Sequence, residues 1–77
     1  MRKLDQIINS TAFQDAYDDA YTTYLCHETI ELLFDDRIAA RKHQRNLNEA
    51  GLSTTSIEVT TLPGDYSTTA YVFHIIA

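Results

Sequence analysis

Seventy-seven residues can build one hydrophobic core but not two, and a domain this small buries only somewhat over half of its unfolded surface, so one thinly stabilised domain over residues 1–77 is expected. Hydrophobic residues make up 44% and charged residues 22%, the composition of a folded globule rather than a disordered tail. The formal net charge of −5 opposes general adhesion to DNA, RNA or anionic membranes, because a phosphate backbone is held mainly by a surplus of Lys and Arg.

The average charge hides a pattern along the chain. From Leu4 to Asp36 there are eight acids and no Lys or Arg, whereas Arg37 to Arg45 holds four bases and no acid. The single cysteine, Cys26, excludes an internal disulfide and fits a reducing compartment. Two basic residues follow Met1, but no uninterrupted apolar stretch comes after them. Neither a secretory signal nor a membrane-spanning helix is expected, and the expected location is cytoplasmic.

In chain order, the segment of about 2–9 predicts one or two helical turns carrying Leu4, Ile7 and Ile8 on one side, interrupted at Asn9-Ser10. Thr11 followed by Gln14 has the form of a capping box, in which each side chain satisfies a free backbone donor, so a helix is expected over about 11–25. Its spacing agrees: Phe13, Ala16, Tyr17, Ala20, Tyr21 and Tyr24 recur on one face, opposite Asp15, Asp18, Asp19 and Thr22. The β-branched pair Thr22-Thr23 lowers helix propensity there, and a short strand through Tyr21 to Cys26 is the alternative reading.

A new apolar phase, Ile30, Leu33, Phe34 and Ile38, predicts a third helix over about 28–50 after a break near Cys26 to Thr29. Its end is well marked, since Gly51 can adopt the left-handed conformation and Leu52 can fold back on Leu47. Beyond a polar connector, Ile57-Glu58-Val59-Thr60-Thr61 alternates like a half-buried strand, and Leu62-Pro63-Gly64-Asp65 meets the steric needs of a type II turn. The expected fold is therefore α+β: two or three helices packed on a C-terminal antiparallel β-hairpin of about 57–62 and 68–76. Both faces of the second hairpin strand are apolar, with Tyr71, Phe73 and Ile75 on one and Val72, His74 and Ile76 on the other. A two-stranded sheet would leave one face bare, which predicts a homodimer through the hairpin or a partner that covers it.

Catalytic signatures are lacking. Cys26 and His27 are adjacent, so on a helix their side chains would point about 100° apart and form no nucleophile–base pair. His27 and Glu31, one helical turn apart, could share a cation with His43 or His74, but no established metal-ligand spacing accompanies them, and no metal is expected. Two glycines, one at a helix end and one in a turn, leave none for a phosphate-cradling loop, so no cofactor is expected either.

Two charged surfaces remain. Arg37, Arg41 and Arg45 fall at i, i+4 and i+8 with Lys42 beside them, a stripe able to grip phosphates, although on the expected third helix the same residues would simply complement the dipole by following Glu28, Glu31, Asp35 and Asp36. The acids Asp15, Asp18, Asp19, Glu28, Glu31, Asp35 and Asp36 could instead imitate a phosphate backbone and dock on a basic groove, with Tyr17 and Tyr21 supplying contact area at low entropy cost. The leading expectation is a non-enzymatic protein-binding module, an acidic inhibitor docking on a basic, nucleic-acid-handling protein. Inhibitors encoded by phages and mobile elements offer an analogy of size and charge only. The alternative is a small homodimeric nucleic-acid-binding regulator that uses Arg37, Arg41, Lys42 and Arg45.

Overall fold

The computed structural model describes residues 3–26 and 28–76. In chain order the elements are α1 (Lys3–Ile8), α2 (Thr11–Asp19), β1 (Thr22–Cys26), β2 (Thr29–Phe34), α3 (Arg37–Glu49), β3 (Ser53–Thr54), β4 (Glu58–Leu62) and β5 (Asp65–Ile76). The fold is α+β, as expected, with three helices and a five-stranded antiparallel sheet in place of a lone hairpin.

The largest departure lies between Tyr21 and Phe34. The expected helix over 11–25 stops at Asp19, and the alternative strand reading holds as β1. The expected helix over 28–50 splits into strand β2 and helix α3. The physical reason is burial on two faces. Ile30, Leu32 and Phe34 point to one side of β2 and enter the main core, while Leu33 points to the other and is also buried. A short run that is apolar on both faces suits an interior strand, and β2 lies between β1 and β5. Ile38, assigned by spacing to the apolar face, is 78% exposed.

The expected local signals at Gly51 and Gly64 both hold. Gly51 has φ +92, Leu52 N donates to Leu47 O at 3.0 Å, and Gly51 N donates to Asn48 O at 3.0 Å, which together make the Schellman ending of α3. Gly64, with φ +80, closes the two-residue turn that joins β4 to β5. The Thr11–Gln14 capping box does not form. Ser10 is the N-cap of α2 without a side-chain bond, and Gln14 Nε2 instead donates to Ile8 O at 2.7 Å, tying α2 to the end of α1. The expected start of the first helix at Arg2 lies outside the described residues, as does Met1.

Sheet order places β1 at one edge, then β2, then β5, with β3 and β4 sharing the far side of β5. Residues 71 and 72 of β5 pair with β2 on one side and β4 on the other. Residues 65–70 find partners in β4 alone, so the hairpin projects past β2 and the molecule reaches 41 Å in its long dimension.

The helices cover one face of the sheet. Phe34 and Phe73 stack with centroids 5.8 Å apart, beneath Phe13 and Ala16 of α2 and Ala40 and Leu47 of α3. Ala16 and Ala40 are fully buried, their small side chains letting α2 and α3 approach. The other sheet face carries a smaller cluster, Leu33, Leu62 and Ala70 with Val72 against it. The bare second face that suggested a homodimer is thus partly filled by neighbouring strands. Among the described residues no helix is long and apolar enough to cross a membrane.

Candidate functional site

Helix α2 runs Thr-Ala-Phe-Gln-Asp-Ala-Tyr-Asp-Asp. Phe13 and Ala16 face the core, which turns Asp15, Tyr17, Asp18 and Asp19 outward. Asp18 and Asp19 occupy the last turn, where backbone carbonyls already concentrate partial negative charge, and no base offsets them there. Helix α3 carries its leading acid at the N-cap, Asp36, while Arg37 opens the helix, its first turn holds no acid and its last turn no base. The expected arrangement, acids leading and bases trailing on one helix, is overturned because residues 29–34 form a strand. Asp18 has no packing reason for its unfavourable place at the end of α2, and such local exceptions mark functional surfaces more often than structural ones.

The sheet register then gathers residues from two stretches of chain. Tyr21 N donates to Leu33 O at 2.8 Å and Thr22 pairs with Leu33, so the end of α2 and the start of β1 lie beside Asp35 and Asp36 at the end of β2. Asp19, Asp35 and Asp36 therefore lie at one end of the sheet with Tyr21, while Asp15, Tyr17 and Asp18 are carried on the preceding turn of α2. The two tyrosines are 56% and 53% exposed, which makes them surface rather than core; Tyr17 leans on Phe13, with ring centroids 6.1 Å apart. Glu28 sits in the turn between β1 and β2, at the far end of that hairpin. Glu31 lies mid-strand, its Oε1 3.3 Å from His74 Nε2.

Two of these carboxylates serve the fold. Asp36 caps α3 by accepting from Ile38 N at 3.0 Å. Asp19 Oδ2 lies 2.7 Å from Nε2 of the buried His43, whose ring stacks on Phe34 at 5.5 Å. The His43 bond holds the Asp19 carboxyl below the usual carboxylate range, helped by the charges of His43 and Lys42 and opposed by partial desolvation. With the Asp19 carboxylate as acceptor, Nε2 is the donor, and Nδ1 is buried without a partner among the described residues. Asp15, Asp18 and Asp35 make no hydrogen bond or ion pair among the described residues. Asp15, Asp18 and Asp19 form one wall of a hollow of about 250 Å³, with Lys42, His43 and Asn46 opposite.

Three of the four expected bases stay together: Arg41, Lys42 and Arg45 line a hollow of about 480 Å³ on the outer side of α3 with Ile38 and Gln44. Lys42 also borders the acidic hollow. Arg37 and Arg41 line a further groove of about 490 Å³, shared with Gln44 and, across from them, Ile57, Val59 and Tyr71. The far wall of this groove was missed by sequence reasoning. The alternation of Ile57 and Val59 was legible, but its position opposite Arg37 and Arg41 depends on where α3 begins.

Cys26 is exposed at the end of β1. His27, the other member of the pair weighed as nucleophile and base and a candidate cation ligand, lies outside the described residues. Its supposed proximity to Glu31 assumed a helix, and Glu31 lies in a strand. Among the described residues no three His, Cys, Asp or Glu side chains converge as metal ligands.

No family model matches the chain, and no curated protein or solved structure matches it either. The fold and site define an α+β domain whose two helix-borne charge clusters of opposite sign are both solvent-facing.

Proposed function

We propose that the chain is a non-enzymatic protein-binding module that docks its acidic, tyrosine-bearing end on the basic surface of a nucleic-acid-handling protein, and so acts as a small inhibitor. One observation carries the reading: Asp15, Asp18 and Asp35 are exposed and have no partner among the described residues, and Tyr17 and Tyr21 are half-exposed, along α2 and the sheet end it leads into. Carboxylates spaced on a rigid element present a field complementary to a phosphate-binding groove, which speeds and orients encounter. Tyr17 and Tyr21 add large contact area with few torsions to immobilise. Glu28 and Glu31 fall outside this surface.

Affinity capture from the native cellular background tests the proposal. The wild-type chain is expected to enrich a basic protein that Asp15→Lys with Asp18→Lys releases, with affinity falling at least about tenfold, or 1.4 kcal/mol. Both positions are exposed, so the folded state should survive and circular dichroism serves as the control. Undiminished capture by the charge-reversed chain would refute the docking surface.

A further inference from the structure

We infer that the groove between α3 and the β4–β5 hairpin is a second binding site, for single-stranded nucleic acid. It lies across α3 from Asp15, Asp18 and Asp19 and does not depend on them.

One wall comes from α3. Arg37 and Arg41 are one helical turn apart on the same flank, which places their Cβ atoms about 5–6 Å from each other. That spacing suits successive phosphates of an extended strand. Both side chains are exposed, and neither has a carboxylate within ion-pair reach among the described residues. Gln44 continues this wall but is already committed, donating from Nε2 to Thr55 O at 2.8 Å, and thereby pins the helix to the chain entering β4.

The opposite wall is apolar and aromatic. Val59 pairs with Tyr71 across the hairpin, so both side chains lie on the sheet face turned toward α3, and Val59 is 72% exposed. Tyr71 is partly exposed and backed by the main core, giving a fixed ring on which a base can stack. Aromatic stacking with cationic contacts along the backbone is the usual means of holding a single strand without reading its sequence. A duplex would offer phosphates to the arginines and nothing to Ile57, Val59 and Tyr71.

The nearby acids do not fill the groove. Asp36 is engaged as the helix cap, and Glu58 pairs with Val72 on the opposite sheet face. Asp15, Asp18 and Asp19 lie across α3, on the side of Lys42. At about 0.1 M salt, charges more than about 10 Å apart at the surface are largely screened, so the overall −5 does not abolish a local anion site. Arg37, placed in the first turn of α3 just behind the Asp36 cap, gains a purpose in this arrangement.

Fluorescence anisotropy with a labelled oligothymidylate of about 12 nucleotides tests the inference. Binding is expected at low salt and should weaken roughly sevenfold between about 50 and 200 mM salt, the loss for two phosphate contacts on a single strand. Arg37→Ala with Arg41→Ala should remove it, Val59→Glu should weaken it, and Asp15→Asn with Asp18→Asn should leave it in place. The last variant separates this site from the acidic docking end. No anisotropy change at low salt, equal binding by the double-arginine variant, preference for the matching duplex, or displacement by a glutamate-rich peptide that binds more tightly would each overturn the inference.

Discussion

His43 carries more of the structure than its place in a basic run suggests. It is 2% exposed, the buried polar side chain among the described residues, and it joins α2 to α3 through Asp19 while stacking on Phe34. Sequence reasoning treated it as a spare cation ligand because the contact depends on two helices meeting, which spacing within one segment does not reveal. The depressed Asp19 carboxyl sets a pH dependence. Its contribution to stability is complete above the ordinary carboxylate value of 3.8 and is lost as pH falls through the lower folded value, because the unfolded chain then binds the proton more readily. Asp65 adds in the same sense, held down by the Thr68 hydroxyl and then by Ser67. Thermal melts of Asp19→Asn should therefore show a shallower loss of stability below about pH 4 than the wild type shows; parallel acid limbs would contradict this.

At the scale of elements, the readable parts are those that one residue decides. A positive φ at Gly51 or Gly64 is a steric matter settled locally, so the end of α3 and the β4–β5 turn were legible. With no atom within 4 Å of a Cβ built at Gly51, Gly51→Ala should cost only the left-handed backbone strain, about 1 kcal/mol, visible as a lower denaturant midpoint. Strand β2 was illegible for the opposite reason. Thr-Ile-Glu-Leu-Leu-Phe satisfies either period, and only its position between β1 and β5 decides the matter. That error carried the acidic site with it, since Glu28, Glu31, Asp35 and Asp36 were assigned to a single helix. The end of α2 offers a sharper test. Because Asp18 faces the negative end of the helix dipole, Asp18→Lys should raise the melting temperature, by the equivalent of about 0.3–1 kcal/mol, while weakening partner capture. Stability gained as binding is lost is the pattern of a surface kept for function. A variant that melts lower would remove the dipole argument.

Across the whole molecule, α3 separates two surfaces of opposite sign. Asp15, Asp18 and Asp19 of α2 lie toward Lys42, and the Arg37–Arg41 groove opens toward the hairpin. The charge separation read along the chain, acids before Asp36 and bases after, survives in three dimensions, although through a strand, a turn and two helices rather than one long helix. On the proposed reading, one flank would hold a basic protein while an exposed strand of that protein's nucleic acid enters the other. Chemical-shift mapping of the isotope-labelled chain with its captured partner decides whether the acidic end is the docking surface. Perturbations are expected at residues 15–21 and 35–36; changes confined to the β4–β5 hairpin or to the sheet face carrying Leu33 and Val72, with residues 15–21 unmoved, would exclude it.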